Sequence, residues 1–255
     1  MIRLENVNLL REEKQILENV NLRMNDGEQW IILGRNGSGK TTLLEIINGY
    51  LFPSSGTVEV LGYTYGKVDL REVRKEIGYI GQSLLEKMSL RDPVWEAVAT
   101  GEYAYLRLYQ EIPQEIIEKA RRMLEQLDVV HLWNRPVGVI SQGERKKVLL
   151  ARAMMSNPKL LILDEPCAGL DLYEREKLLQ GISVFAEQGV QMVYVTHHME
   201  EIVPVFTHVA LIEDGRLEAA GPKREVLTAE LLERVYKIKV DVDWYADRPW
   251  TRVIW

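Results

Sequence analysis

Gly34-Arg35-Asn36-Gly37-Ser38-Gly39-Lys40-Thr41, followed by Thr42, has the spacing G-x-x-x-x-G-K-[ST]. Glycines so placed let the backbone curl until several N–H groups point at one spot, and a helix beginning there adds the positive end of its dipole. Such a cradle binds phosphate oxygens. Lys40 would set an ammonium across the β- and γ-phosphates of a nucleotide, and the Thr41 hydroxyl would ligate Mg²⁺. Shuffling this composition yields the four fixed positions in only roughly four chains per thousand. The apolar run at residues 29–33 before the cradle, and Leu43, Leu44, Ile46 and Ile47 after it, supply the strand–loop–helix context. That context argues against the bland alternative, a glycine-rich structural turn.

Leu160-Leu161-Ile162-Leu163 is apolar at every position, the mark of a strand buried on both faces of a parallel sheet, and it ends in Asp164-Glu165. Side chains alternate along a strand, so neighbouring acids can take different jobs. Asp164 would face a Mg²⁺ shell and Glu165 a water attacking the γ-phosphate. A helix N-cap is the alternative for an acidic pair standing alone, and it loses force beside a phosphate cradle.

The elements that must position these residues are legible in the hydrophobic pattern. Val20, Leu22 and Met24 alternate with polar residues before an Asp26-Gly27 turn, and residues 57–61 form a second strand pattern ending at Gly62. Helical spacing dominates from about Leu90 to Leu132, clearest in Ile116, Ile117, Ala120, Met123, Leu124 and Leu127, with Pro93, Pro113 and Pro136 as helix starts or breaks. Strand texture returns at residues 160–163 and 192–195, and residues 209–212 with Asp214-Gly215 predict a hairpin. The pattern is a mixed α/β core interrupted by a helical insertion.

Composition narrows the class. The 255 residues carry 32 Lys plus Arg against 38 Asp plus Glu, a formal net charge of −6, so nucleic acid is not the expected partner. Cys167 is the single cysteine, which excludes an intrachain disulfide framework and a zinc cage and fits a reducing cytosol. No apolar run approaches the roughly 18 residues of a spanning helix, and the first residues lack an apolar signal region, so neither spanning nor secretion is expected.

With four further motifs in order, the chain resembles the ATP-binding-cassette (ABC) ATPases over nearly its whole length. Gln82, after Ile80-Gly81, is similar to the family's Q-loop glutamine, which senses Mg²⁺ and contacts the membrane partner. Ile140-Ser141-Gln142-Gly143-Glu144 resembles the L-S-G-G-Q signature, Gly169-Leu170-Asp171 the D-loop, and Thr196-His197 the switch histidine. The resemblance implies an α/β P-loop NTPase core with a mixed or parallel sheet, an N-terminal antiparallel β subdomain and an inserted helical subdomain at about residues 83–150, all in one domain. It also implies that the signature binds the γ-phosphate held by the opposite protomer. Ser141 then offers a hydroxyl and Gly143 a close N–H, and two chains sandwich two ATP molecules. The implied cofactors are ATP and Mg²⁺, with Thr41, Gln82 and Asp164 around the metal, Glu165 as base and His197 on the γ-phosphate.

Three departures from the family pattern bear on the site. Gln142 replaces Gly, and Glu144 replaces Gln, which leaves an acceptor but no donor for a sugar hydroxyl. The stretch Leu9-Leu10-Arg11-Glu12-Glu13 holds no aromatic to stack on adenine; Arg11 could lay its guanidinium there, or stand as a solvated loop arginine. His198 follows the switch histidine where many members have Asp, and reads as a surface residue at a helix start, with Cys167 in a small-residue packing slot.

Transport is the leading reading: a cytoplasmic ATPase subunit, peripheral at the inner face of the membrane, docking on separate transmembrane permease subunits. An importer, with a substrate-binding protein, is somewhat favoured. About 58 residues follow His197, too few for the extra C-terminal domain of the sugar importers' ATPases. Chains of this kind resemble the ATPases of metal-chelate, vitamin and molybdate uptake. The alternative is a non-transport ABC ATPase acting on DNA or ribosomes. Against it, about 120 residues separate Lys40 from Asp164 without sustained heptads, and the chain holds one cassette. A nucleotide-gated module without turnover is opposed by the intact Glu165 and His197, and a general P-loop kinase has no use for a signature.

The tail, residues 241–255, holds Trp244, Trp250 and Trp255, an apolar burden for a solvated segment. It is expected to pack back on its own core as a strand or clasp, or else to cross to a second chain.

Overall fold

The computed structural model describes residues 1–81, 88–103 and 111–255. Strands β1 (Ile2–Arg11), β2 (Lys14–Met24) and β3 (Trp30–Leu33) lead to α1 (Lys40–Ile47), β4 (Ser55–Val60), β5 (Tyr63–Thr64), α2 (Leu70–Lys75) and β6 (Ile77–Ile80). Helices α3 (Val94–Ala99), α4 (Gln114–Gln126) and α5 (Gln142–Met154) follow, then β7 (Leu160–Asp164), α6 (Leu172–Glu187) and β8 (Gln191–Thr196). After a 3-10 turn at Met199–Glu201 come β9 (His208–Glu213), β10 (Arg216–Pro222), α7 (Lys223–Val226), α8 (Ala229–Tyr236), β11 (Val240–Tyr245) and β12 (Arg248–Val253). Among the described residues no helix is long and apolar enough to cross a membrane.

The chain divides into two compact units. The first joins residues Met1–Arg74 to Gln191–Trp255. Its antiparallel sheet runs β2-β1-β4-β5. Register follows the alternation: Ile2 pairs with Met24, Leu4 with Leu22 and Val7 with Val20, all buried, while Arg3, Asn21 and Arg23 face water. In the same unit β3 lies parallel to both β8 and β9, and β10 returns antiparallel on β9. Ile31, Ile32 and Leu33 are wholly buried, as both-face burial requires of an unbroken apolar run.

The second unit spans Lys75–Val190. Parallel β6 and β7 pair Ile77 with Leu160 and Ile80 with Leu163. The helical spacing resolves into separate pieces: Pro93 and Pro113 stand at the N-caps of α3 and α4, and 3-10 turns occupy Val130–Leu132 and Val137–Val139. Proline explains the breaks, since it supplies no amide to a continuing helix. On α4, Ile116, Ala120 and Leu124 face inward, and Glu118, Arg121 and Arg122 face water.

The tail forms a hairpin. β11 and β12 pair antiparallel from Val240↔Val253 to Tyr245↔Arg248, and the two turn residues, Ala246 and Asp247, both take left-handed φ, at 46° and 59°. Val240 and Pro249 are buried, whereas Trp250 is half exposed and Trp255 fully so.

Candidate functional site

The phosphate-binding loop leaves β3 at Leu33 and enters α1 at Lys40. Gly34 crosses the end of β9 so closely that a Cβ there would lie 2.2 Å from the Ile212 carbonyl oxygen, which is why glycine opens the loop. From below, the Gly215 amide donates to the Ser38 carbonyl at 3.0 Å. Arg35 reaches Glu213 at 3.3 Å. The loop is therefore braced by the β9–β10 hairpin.

Lys40 is 5% exposed, and its ammonium donates to the Gly34 and Arg35 carbonyls at 3.0 and 2.9 Å. The amide dipoles at the start of α1 have no side-chain cap. Ser38 Oγ is buried without a hydrogen-bond partner. A buried cation, uncapped helix amides and an orphan hydroxyl around one curled loop form a donor set that fits the phosphates of a nucleoside triphosphate. Thr41 stands exposed on the first turn of α1, beside half-buried Thr42, where its hydroxyl can meet a metal ion carried by those phosphates.

Strand register brings the histidine to the same sheet edge. Leu33 pairs with Thr196 on one side and with Leu211 on the other, so Gly34 and His197 leave the ends of neighbouring strands. Crevices outside the carboxyl ends of parallel strands are where such sheets bind ligands. The rings of His197 and His198 lie 4.0 Å apart, and His198 Nδ1 is 3.8 Å from the Glu200 carboxylate. His198 itself is exposed at the N-cap of the 3-10 turn. Arg11 is exposed at the end of β1, paired with Lys14 across a turn whose Glu12 and Glu13 have φ of 47° and 63°.

In the second unit, the Ile80–Leu163 pair sets Gly81 beside Asp164. Gln82 lies outside the described residues. Asp164 ends β7, and Glu165 turns the chain at φ 47°, a left-handed conformation costing a non-glycine residue about 1 kcal/mol. Strain of this kind collects at functional positions. Cys167 is buried as a small packing residue.

Ser141 caps α5 through a reciprocal box: its hydroxyl accepts from the Glu144 amide at 3.2 Å, and its own amide donates to the Glu144 carboxylate at 2.7 Å. Burial pushes the Glu144 carboxyl up, but the bonds from Ser141, with His131 and Arg135 nearby, outweigh it and hold the group below its usual range. The acid at the fifth signature position therefore works within its own chain, as a cap.

Two relations escaped sequence reading. The Gln142 amide lies over Gly169 and reaches the Ala168 carbonyl by a long 3.5 Å bond, while a Cβ on Gly143 would run into the Glu174 carboxylate. Asp171 in turn caps α6 through the Glu174 amide at 2.9 Å. Signature and D-loop thus share one surface of the second unit. The clue was the capping pattern Asp171-x-x-Glu174, which marks a helix start but not what it touches.

A family model described as ABC transporter matches residues 17–168. The chain is 40% identical over 252 residues to the uncharacterized ABC transporter ATP-binding protein YlmA of Bacillus subtilis, covering 98% of this chain and 96% of that protein. The molybdate/tungstate import ATP-binding protein WtpC of Thermococcus kodakarensis is 36% identical, covering 87% of this chain and 65% of its own length. Among solved structures, a dimeric post-hydrolysis state of the ATP-binding cassette MJ0796 bound to ADP and phosphate superposes with a TM-score of 0.76 at 27% identity, covering 87% of this chain and 98% of that one.

Proposed function

The chain belongs to the ABC transporter family of ATP-binding proteins, and from that premise we propose that it is the ATPase of an importer, closing with a second copy around two ATP molecules. ATP hydrolysis coupled to transport is the family's activity. The reading rests on one observation above all. Residues 34–41 set buried Lys40, the uncapped start of α1 and the orphan Ser38 hydroxyl around one phosphate site, whereas the α5 start behind Ser141 is already capped within its own chain by Glu144.

In this reading the loop amides and Lys40 neutralise the β- and γ-oxygens, with Arg35, Asn36, Gly37, Ser38, Gly39 and Thr42 shaping the cradle. Thr41, Gln82 and Asp164 would hold Mg²⁺, which would screen the phosphate charge. Glu165 orients and deprotonates water, and His197 bonds the γ-phosphate. Ser141 and Gly143 of a second copy complete each site, with Gln142, Glu144 and Asp171 at the same seam. Hydrolysis is then tied to closure of the pair, which is how a nucleotide site drives a separate membrane protein.

The permease subunits are separate polytopic chains, so this subunit works at the cytoplasmic face of the membrane; a substrate-binding protein on the far side completes the importer. Import is supported by the likeness to WtpC, whose name carries molybdate/tungstate import. Glu165→Gln, locked with ATP and used as bait in membranes of the native cell, tests the assignment. Retention of a polytopic permease at high salt supports it. Recovery of DNA-repair or ribosomal proteins alone overturns it.

A further inference from the structure

The Trp-rich hairpin is attached to the segment that carries the switch histidine. The Arg248 guanidinium donates to the Glu200 carbonyl, and the first residues of β12 lie against the 3-10 turn Met199–Glu201. Glu200 also aims its carboxylate at His198, 3.8 Å away, and the His198 ring lies 4.0 Å from that of His197. One residue therefore receives the hairpin through its carbonyl and faces the histidine pair through its side chain. The neighbouring Glu201, 2% exposed, accepts from Tyr194 Oη of β8 at 2.7 Å, so the turn is tied on its other side to the strand that delivers Thr196 and His197.

The hairpin is itself fixed at its tip. Lys223, whose side chain is 7% exposed, meets the Asp247 carboxylate at 2.6 Å and donates to the Asp247 and Pro204 carbonyls at 3.0 and 3.3 Å. Arg224 bonds Asp247 at 2.9 Å and stacks on Trp244 with 4.4 Å to the ring centre. Pro204 lies on the same stretch that follows the histidine, so Arg248 of the hairpin and Lys223, which holds the hairpin tip, bond residues 200–204 at one carbonyl each. A guanidinium held at its base by such a tip is a fixed donor, and a fixed donor orders the backbone it bonds.

We infer that Arg248 is a positioning residue for ATP hydrolysis: through the Glu200 carbonyl it holds the 197–200 segment so that His197 stands where the γ-phosphate contact requires. The inference rests on the assignment of His197 above, and the experiment separates the two. Steady-state ATP turnover of the full chain is measured for Arg248→Met, which keeps the aliphatic stem, for Arg248→Lys, for His197→Ala and for the His197→Ala/Arg248→Met double variant, with thermal unfolding of each.

Arg248→Met should lower kcat roughly five-fold, a coupling of the size found between residues in one bonded network, with KM for ATP unmoved. Arg248→Lys, which retains a donor, should recover most of the loss. In the His197→Ala background the Arg248→Met effect should vanish, because its only route to the phosphate is gone. Unchanged kcat in Arg248→Met, an equal loss in Arg248→Lys, or the same factor in both backgrounds overturns the positioning role while a slow His197→Ala leaves the histidine assignment standing. Parental turnover in His197→Ala removes the histidine from the reaction and the route from Arg248 with it.

Discussion

The Gly215 amide donates to the Ser38 carbonyl at 3.0 Å, and the Gly215 carbonyl accepts from the Glu18 amide at 2.9 Å, so one turn residue joins β2 to the phosphate-binding loop. Gly215 has φ 76°, and a Cβ there would lie 2.3 Å from the Ile16 carbonyl oxygen. Gly215→Ala must push β2 and the loop apart. The expected loss is about 1–3 kcal/mol of stability, with weaker ATP binding, read by urea unfolding and nucleotide titration. Gly27→Ala, at φ 80° but with open space around its Cβ, controls for backbone strain alone. Equal losses in the two variants would contradict the bracing.

The Ser141–Glu144 box makes a second prediction. Glu144→Ala should cost about 1 kcal/mol, and Glu144→Gln less, since its amide oxygen still accepts from Ser141. The folded-state carboxyl is held low, so its contribution is complete above the ordinary Glu range and is lost as pH falls through the lowered value. Urea unfolding of parent and Glu144→Gln across that range checks the sign: the gap between them should close on acidification.

Much of this was legible beforehand, for identifiable reasons. Both-face burial writes itself as unbroken apolar runs, so residues 160–163 and 192–195 announced β7 and β8. The loop at 34–41 declares itself because phosphate binding leaves little choice of residue. What stayed hidden is non-local. Asp214-Gly215 marks a hairpin turn, yet nothing nearby in sequence says that the turn braces Ser38. Arg248 reads as one more surface charge until the hairpin folds it onto Glu200. Glu144, read for its contact to a partner's sugar, also caps its own helix, a local role the sequence reading did not name.

The hairpin tip should be acid-labile. Asp247 is held below its usual range chiefly by its bond to Lys223, with Arg224 adding to it, so the clasp is complete above the ordinary Asp range and is lost as pH falls through the lowered value. The melting temperature of the parent should exceed that of Asp247→Asn at neutral pH, and the gap should shrink below about pH 4. A constant gap would remove the carboxylate from the clasp. Deleting residues 241–255 should destabilise the isolated monomer; an unaltered monomer with weakened ATP-dependent pairing would place the tail across the dimer instead.

Arg11 sits exposed at the β1–β2 tip, with no aromatic residue at positions 9–13. If its guanidinium stacks on adenine, Arg11→Ala should raise KM several-fold for ATP and shift the ATP-to-GTP preference, within the roughly 1 kcal/mol of an exposed cation–π contact. Unchanged constants for both nucleotides would take Arg11 out of the site.

The most direct test is phosphate release by Glu165→Gln. The substitution keeps size and hydrogen bonding while removing the charge and most of the basicity of the residue that follows β7 at φ 47°. Turnover should fall at least ~100-fold, the range of a positioned base, while ATP still binds and the chain accumulates as a dimer; Lys40→Ala should instead lose binding itself. Hydrolysis at the parental rate in Glu165→Gln would contradict the account.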